Sequence, residues 1–259
     1  MQKWTLITGA SSGIGLALAE KFAQGGHNLI LVGRDPTALE KVAKNCRDQY
    51  GVQAQIRIAD LAKDGAGSFL AKELERDNLE IECLVNNAGF GVLGAFHETS
   101  QELESDMLKV NLISLVELTK SINRNMVMRK SGRILNVAST AAFQPGPYMA
   151  VYYASKAFVH SFSLALSEEN RKKNVTVTVL CPGLTKTKFL ARAGIAKPTR
   201  LERFAMDAES VAKVGYRATM RGDAIAIPGL GNRLIAFGVK FFPMSWVLAF
   251  LGRVQKSLN

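Results

Sequence analysis

The chain is short of cysteine, of histidine and of acidic residues. Its three cysteines, Cys46, Cys83 and Cys181, lie far apart and form no CxxC or Cys/His ligand spacing. An odd, scattered set argues against a closed disulfide framework and points to a reducing, cytoplasmic setting. The three histidines, His27, His97 and His160, share no metal spacing and no nucleophile stands beside them, so no metal is expected. No linker, low-complexity stretch or internal repeat divides the 259 residues, of which 47% are apolar. One core spanning 1–259 is therefore expected. No signal peptide is expected, because Met1, Gln2 and Lys3 lead straight into a strand-like run.

The scarcity of acidic residues leaves a formal net charge of +11. Between Lys188 and Asn259 stand twelve Lys/Arg against four Asp/Glu, a net of +8. From Leu230 onward Arg233, Lys240, Arg253 and Lys256 have no acidic residue among them. Three readings fit: a solvated basic face, an anionic membrane surface, or an anionic substrate. There is no zinc-finger spacing, RNA-binding motif or arginine-rich tract, so nucleic acid is not an expected partner.

What is present is alternation. Short β-rich runs occur at Trp4–Thr8, Asn28–Val32, Gln53–Ile58, Cys83–Asn86, Arg133–Ala138, Val175–Leu180 and Ala224–Ile227. Between them Ile14–Gln24, Pro36–Gln49, Gly67–Arg76, Gln101–Met128 and Val151–Lys172 carry apolar residues at helical spacing. Repeated β-α-β-α order predicts an α/β fold, a doubly wound parallel sheet with helices on both faces. Ligands then bind at the carboxyl ends of the strands.

The chemical motifs follow those strands. After the first comes Thr8-Gly9-Ala10-Ser11-Ser12-Gly13-Ile14-Gly15. Such a turn lets backbone N–H groups approach a pyrophosphate, and the helix that follows offers its positive end. A plain tight turn would need glycine too, but three glycines between a strand and a helix favour phosphate binding. The second strand runs into Gly33 and Arg34, where a dinucleotide's adenosine ribose should lie. An arginine there suits a 2′-phosphate, so NADP(H) is favoured over NAD(H). Asp60 follows the third strand and reads either as an acceptor for an adenine amino group or as a helix N-cap. Asn86-Asn87-Ala88-Gly89 closes the fourth strand, with small residues that admit a ligand or relieve a turn.

Tyr152 and Lys156 stand four apart on one predicted helix face. An ammonium near a phenol is expected to lower its pKa from about 10 and fit it for proton transfer. Tyr153 has Ala157 at that spacing and Tyr148 has Tyr152, so neither has a charged partner. Ser139, after the fifth strand, is placed to donate to a carbonyl oxygen, with Thr140 its nearest competitor and a turn-capping role the alternative. Asn111, between Val110 and Leu112, needs partners on an apolar face; it reads as the holder of a proton-relay water or as a satisfied core amide.

Together these residues resemble the short-chain dehydrogenase/reductase family. Thr8–Gly15 looks like its TGxxxGxG motif and Asn86–Gly89 like its NNAG motif. Ser139, Tyr152 and Lys156 match its Ser and YxxxK positions, and Asn111 its fourth catalytic residue. Cys181-Pro182-Gly183-Leu184-Thr185-Lys186-Thr187 is similar to its PG loop. The resemblance runs from Lys3 to about Phe189. It implies a single Rossmann domain with seven parallel strands, hydride transfer with Tyr152 as acid/base, and dimers or tetramers. Lys156 would bind the nicotinamide ribose, and Ser139 would polarise a carbonyl. Thr8, Gly9, Ser11, Ser12, Gly13, Ile14, Gly15, Asn87, Ala88, Gly89, Pro182, Gly183, Thr185 and Thr187 would join Arg34 and Asp60 around NADP(H).

Beyond Phe189 the motifs stop. Residues 190–259 are expected to form a variable, basic and apolar extension, with a mobile lid over Leu190–Ala208. The run Leu234–Leu251 is nearly long enough to span a bilayer, but Lys240 and Pro243 interrupt it. It reads as a peripheral membrane helix within 230–259, or as a lid or subunit contact. Each fits an apolar, lipid-like or steroid-like ketone. Two other classes compete with the reductase. A non-catalytic dinucleotide-binding redox sensor would not need the catalytic set, and a Rossmann methyltransferase would not need the Tyr/Lys pair.

Overall fold

Strands covered on both faces are rich in apolar residues; Leu29–Val32 is buried and wholly apolar, whereas the edge strand Ala54–Ile58 carries Gln55 and Arg57. The computed structural model describes residues 2–194 and 205–256. The chain runs β1 (Lys3–Thr8), α1 (Gly13–Gln24), β2 (Asn28–Gly33), α2 (Pro36–Tyr50), β3 (Ala54–Ile58), α3 (Ala66–Arg76) and β4 (Glu80–Asn86). It continues through α4 (Gln101–Leu108), α5 (Ser114–Met128), β5 (Gly132–Val137), α6 (Ala150–Asn170), β6 (Val175–Leu180) and α7 (Phe189–Arg192). Last come α8 (Ala208–Arg221), β7 (Ile225–Ala226), α9 (Leu230–Gly238) and α10 (Met244–Lys256).

All seven strands pair in parallel, in the order β3-β2-β1-β4-β5-β6-β7. Neighbouring residues of one strand serve opposite layers. Ile7 and Leu31 pack with Leu18 and Phe22 of α1 and Val211 of α8. Leu6 and Ile30 pack with Leu70 and Leu74 of α3 and Leu118 of α5. The doubly wound seven-stranded fold expected from the sequence is therefore present. Because β1 lies between β2 and β4, the connections diverge above it and open a crevice at its carboxyl end.

Two local expectations need correction, and a third, the interruption of the run Leu234–Leu251 at Pro243, is met. The stretch Gln101–Met128 is not one α-helix: a π-helical turn, Lys109–Ile113, separates α4 from α5. Its extra residue per turn shifts the helix face and directs Asn111 inward, where it is 1% exposed. The run Leu234–Leu251 is also broken. Phe242, preceding Pro243, is extended (φ −102°, ψ 144°), as a residue before proline must be, and α10 starts afresh beyond it. Among the described residues no helix is long and apolar enough to cross a membrane. Finally, Asp60 does not cap α3, whose N-cap is Gly65. It closes a turn instead, accepting from the Ala62 N–H at 3.2 Å. The lid expected over Leu190–Ala208 includes residues 195–204, which lie outside the described residues.

Candidate active site

The Gly-rich turn is built for close backbone approach. Gly9 and Gly13 hold positive φ, +66° and +58°, a region that disfavours a Cβ. A Cβ on Gly15 would run into the Gly9 carbonyl and the Asn87 amide. Asn87 is the reason for the tightness: its Nδ2 donates to the carbonyls of Thr8 (2.9 Å) and Gly9 (3.2 Å). The Thr8 hydroxyl in turn accepts from the N–H groups of Asn87 and Ala88, both at 3.0 Å. The ends of β1 and β4 are thus stapled together. A cleft of about 630 Å³ opens beside them, lined by Ser11, Ser12, Gly13, Thr185, Thr187 and Lys188. Thr187 packs on Gly13, where a Cβ would lie 3.0 Å from its Cγ2. A cradle that admits only glycine, at the positive end of α1, fits a dinucleotide pyrophosphate. Gly15→Ala is accordingly expected to weaken dinucleotide binding about tenfold or more, because backbone must move to admit the methyl group. Titration of cofactor fluorescence checks this; unchanged affinity would show that the turn does not approach the cofactor.

Arg34 is exposed at the end of β2, directly before Asp35, which caps α2 through the Ala38 N–H at 3.0 Å. Pro182 and Gly183 follow β6. Thr185 donates to the Gly183 carbonyl (2.9 Å), and Thr187 accepts from the Phe189 N–H (3.2 Å).

Ser139, Tyr152, Lys156 and Asn111 converge at the same sheet edge. Tyr152 and Lys156 lie on the first turns of α6, 8% and 5% exposed. Lys156 Nζ donates to the Val137 carbonyl at 3.0 Å and stands 5.8 Å from the Tyr152 ring centroid. It also lies close to Gly89, where a Cβ would be 3.3 Å from Nζ. The Ser139 hydroxyl accepts from the Ala141 N–H at 3.1 Å and donates to the Pro182 carbonyl at 3.3 Å. It is also hydrogen-bonded to Tyr152. Capping and contact with the tyrosine thus coexist in Ser139. The Asn111 amide is fully engaged as a donor: Nδ2 donates to the Phe90 carbonyl and to Ser155 Oγ, both at 3.0 Å. Its Oδ1 accepts from the Phe90 N–H at 3.1 Å.

The electrostatics differ from the sequence expectation. Burial pushes the Tyr152 phenol above its ordinary range, and its hydrogen bond with Ser139 only partly opposes it. Burial also pushes the Lys156 ammonium down to about 8, against a smaller opposing effect of Cys181. The lysine was expected to lower the tyrosine; desolvation of both groups dominates instead. Sequence reasoning missed Ser155, which joins Asn111 to α6 by donating to the Tyr152 carbonyl at 2.7 Å. Its place inside the Tyr152–Lys156 interval was the available signal. It also missed Lys186 and Lys188 along the cleft.

A family model described as short chain dehydrogenase matches residues 3–197. The chain belongs to the short-chain dehydrogenase family. Among its relatives, mouse 17-beta-hydroxysteroid dehydrogenase type 3 is 38% identical over 197 residues, covering 73% of this chain and 63% of that protein. The fatty acyl-CoA reductase of Acinetobacter baylyi is 33% identical, covering 98% of this chain and 89% of that one. The chain spans 63% and 52% of the length of two further-extended relatives, the mouse enzyme and the very-long-chain 3-oxoacyl-CoA reductase of Laccaria bicolor. Among solved structures, a short-chain dehydrogenase from Sphingobium yanoikuyae in complex with NADPH superposes with a TM-score of 0.83 at 31% identity, covering 93% of each chain.

Proposed function

We propose that this short-chain dehydrogenase transfers a hydride between NADP(H) and a carbonyl or hydroxyl group on an apolar, lipid-like or steroid-like substrate. The observation that carries the reading is the contact of Ser139 with Tyr152 in apolar surroundings. Tyr152 packs with Met107 and Met149, and Phe189 lies 5.3 Å from its ring. Relatives named for steroids and for very-long-chain acyl-CoA agree with an apolar substrate.

NADP(H) supplies the hydride. The Gly9–Gly15 turn and Asn87–Gly89 would hold its diphosphate and nicotinamide half, with Pro182, Gly183, Thr185 and Thr187 closing over it; Asp60 would face the adenine. Ser139 Oγ donates to the substrate oxygen, and the protonated Tyr152 phenol gives that oxygen its proton during reduction. The Asn111 amide holds the Phe90 segment and Ser155 in place behind the tyrosine, and its Oδ1 would hold a water through which the proton is relayed by way of Lys156 back to Tyr152. Residues 205–256 of the 190–259 extension would cover the substrate side of this one domain. The protein assembles as a homodimer or homotetramer, for which exposed Leu108, Ile113 and Phe158 offer an apolar face. It works in the cytoplasm, in peripheral contact with a membrane through residues 230–259.

Absorbance at 340 nm, with NADPH and NADH compared over apolar and polar ketones, tests the reading. NADPH turnover with apolar ketones is the expected result. Tight NADPH binding with no turnover would overturn it in favour of a redox sensor. In the same assay Arg34→Ala should shift the NADPH-to-NADH preference about tenfold towards NADH, through loss of one charge-assisted contact to the 2′-phosphate. An unchanged ratio would remove Arg34 from cofactor selection.

A further inference from the structure

A helix at a water-facing surface normally buries its apolar stripe and exposes its polar one. α9 and α10 instead leave large apolar side chains outside. The described residues they bury are Ala236 and Gln255. Outward they present Leu234, 74% exposed, Phe237, 52%, Trp246, 68%, and Phe250, 67%. Leu234 and Phe237 are three apart, and Trp246 and Phe250 four apart, so each pair shares a helix face. Phe241, 86% exposed, lies between the two helices.

Charge decides what covers this surface. From Ala224 to Asn259 the chain has Arg233, Lys240, Arg253 and Lys256 and no acidic residue. A second copy would set like charges against each other, and a neutral partner would leave them without use. An anionic lipid surface satisfies both the aromatic residues and the cations.

We propose that α9 and α10 form the docking face for an anionic lipid bilayer and place the substrate cleft beside it. Both helices are anchored at the catalytic edge. Ala236 packs with Ala138 and Cys181. Asn232 lies against Gly183, where a Cβ would run into its side chain. Gln255 Nε2 donates to the Tyr153 hydroxyl at 2.7 Å, and the Tyr153 ring meets the Tyr152 ring edge-on at 6.0 Å. An apolar ketone dissolved in the bilayer therefore enters from the docked side. Docking rests on the reading of residues 230–259 as a membrane contact, and entry from lipid rests also on the reductase reading.

The two tryptophans make the test specific, because Trp4 is 3% exposed and only Trp246 can report a change of surroundings at the surface. The full chain is titrated with phosphatidylcholine vesicles, with and without phosphatidylglycerol. Co-sedimentation and a blue shift of Trp246 emission with the anionic vesicles are expected. Arg253→Gln with Lys256→Gln should lower that affinity roughly 25-fold, about fivefold for each cation. Phe241→Ser with Phe250→Ser should abolish it while NADPH binding, measured as a check on folding, persists. For a long-chain ketone carried in the vesicles, KM should be lower with anionic lipid in the wild type, and the glutamine variant should lose that difference at unchanged kcat.

Equal binding to both vesicle types, no binding to either, or self-association that Phe250→Ser disrupts without any vesicle binding would each overturn the docking face. Turnover of a water-soluble ketone without vesicles separates the two readings. Turnover without vesicle binding overturns docking alone. Vesicle binding without turnover of either the water-soluble or the vesicle-borne ketone supports docking and overturns the reductase.

Discussion

Tyr152→Phe is expected to lower turnover about 10²–10⁴-fold, the usual contribution of a positioned general acid, while NADPH affinity is unchanged. The loss follows from the phenol's surroundings. Tyr152 is 8% exposed, and burial holds its proton well beyond neutrality against the partial opposition of Ser139. A protonated phenol is the form a ketone oxygen needs during reduction. The phenylalanine ring fills the same space among Met149 and Phe189, so packing is preserved and only the hydroxyl is lost. Single-turnover kinetics with NADPH in excess would measure it. Retention of full activity would show that another group carries the proton; Tyr153, whose hydroxyl accepts from Gln255, would be examined next.

Lys156→Met is expected to separate stability from activity. Burial pushes Lys156 down to about 8 from its ordinary 10.5. Below pH 8 the folded and unfolded chains both carry the proton, and the full penalty of burying the charge is present. Between pH 8 and 10.5 the unfolded chain binds more protons than the folded one, so stability rises with pH through this window. The penalty relieved is roughly 3 kcal/mol for the free protein. Methionine has similar length and no charge, so the variant should melt several degrees higher at pH 7 and lose the rise between pH 8 and 10. Its turnover should fall roughly 10²-fold, as on removal of an electrostatic donor from an active site. Thermal melts of both proteins across pH 6.5–10 decide the matter. A variant that melts lower at pH 7 would mean that the hydrogen bond to the Val137 carbonyl outweighs the buried charge.

Much of this site could be read in advance because its parts are punctuated locally. Glycines whose φ must be positive, as at Gly9 and Gly13, announce a turn wherever they occur between a strand and a helix. Tyr152 and Lys156 share a helix face by their spacing alone. The π-helical turn at Lys109–Ile113 left no comparable mark, since one extra residue in a helix of apolar spacing changes no residue type. Asp60 was ambiguous for a related reason: an aspartate after a strand closes a turn or caps a helix equally well, and where the next helix starts decides between them.

The order of strands and helices, the parallel sheet and the choice of candidate reacting groups belong to residue type and spacing, which are properties of short stretches of chain. Burial is not such a property. Tyr152 is pushed up rather than drawn down because of what packs around it, Met107 and Phe189 among them, which are distant from it in the chain. The apolar residues of Leu234–Leu251 were equally consistent with a lid, a subunit contact or a membrane. Only the anchoring of α9 through Ala236 and of α10 through Gln255 turns Leu234, Trp246 and Phe250 outward. A helix's sequence defines its apolar face, but which way that face points depends on the contacts that hold its other side.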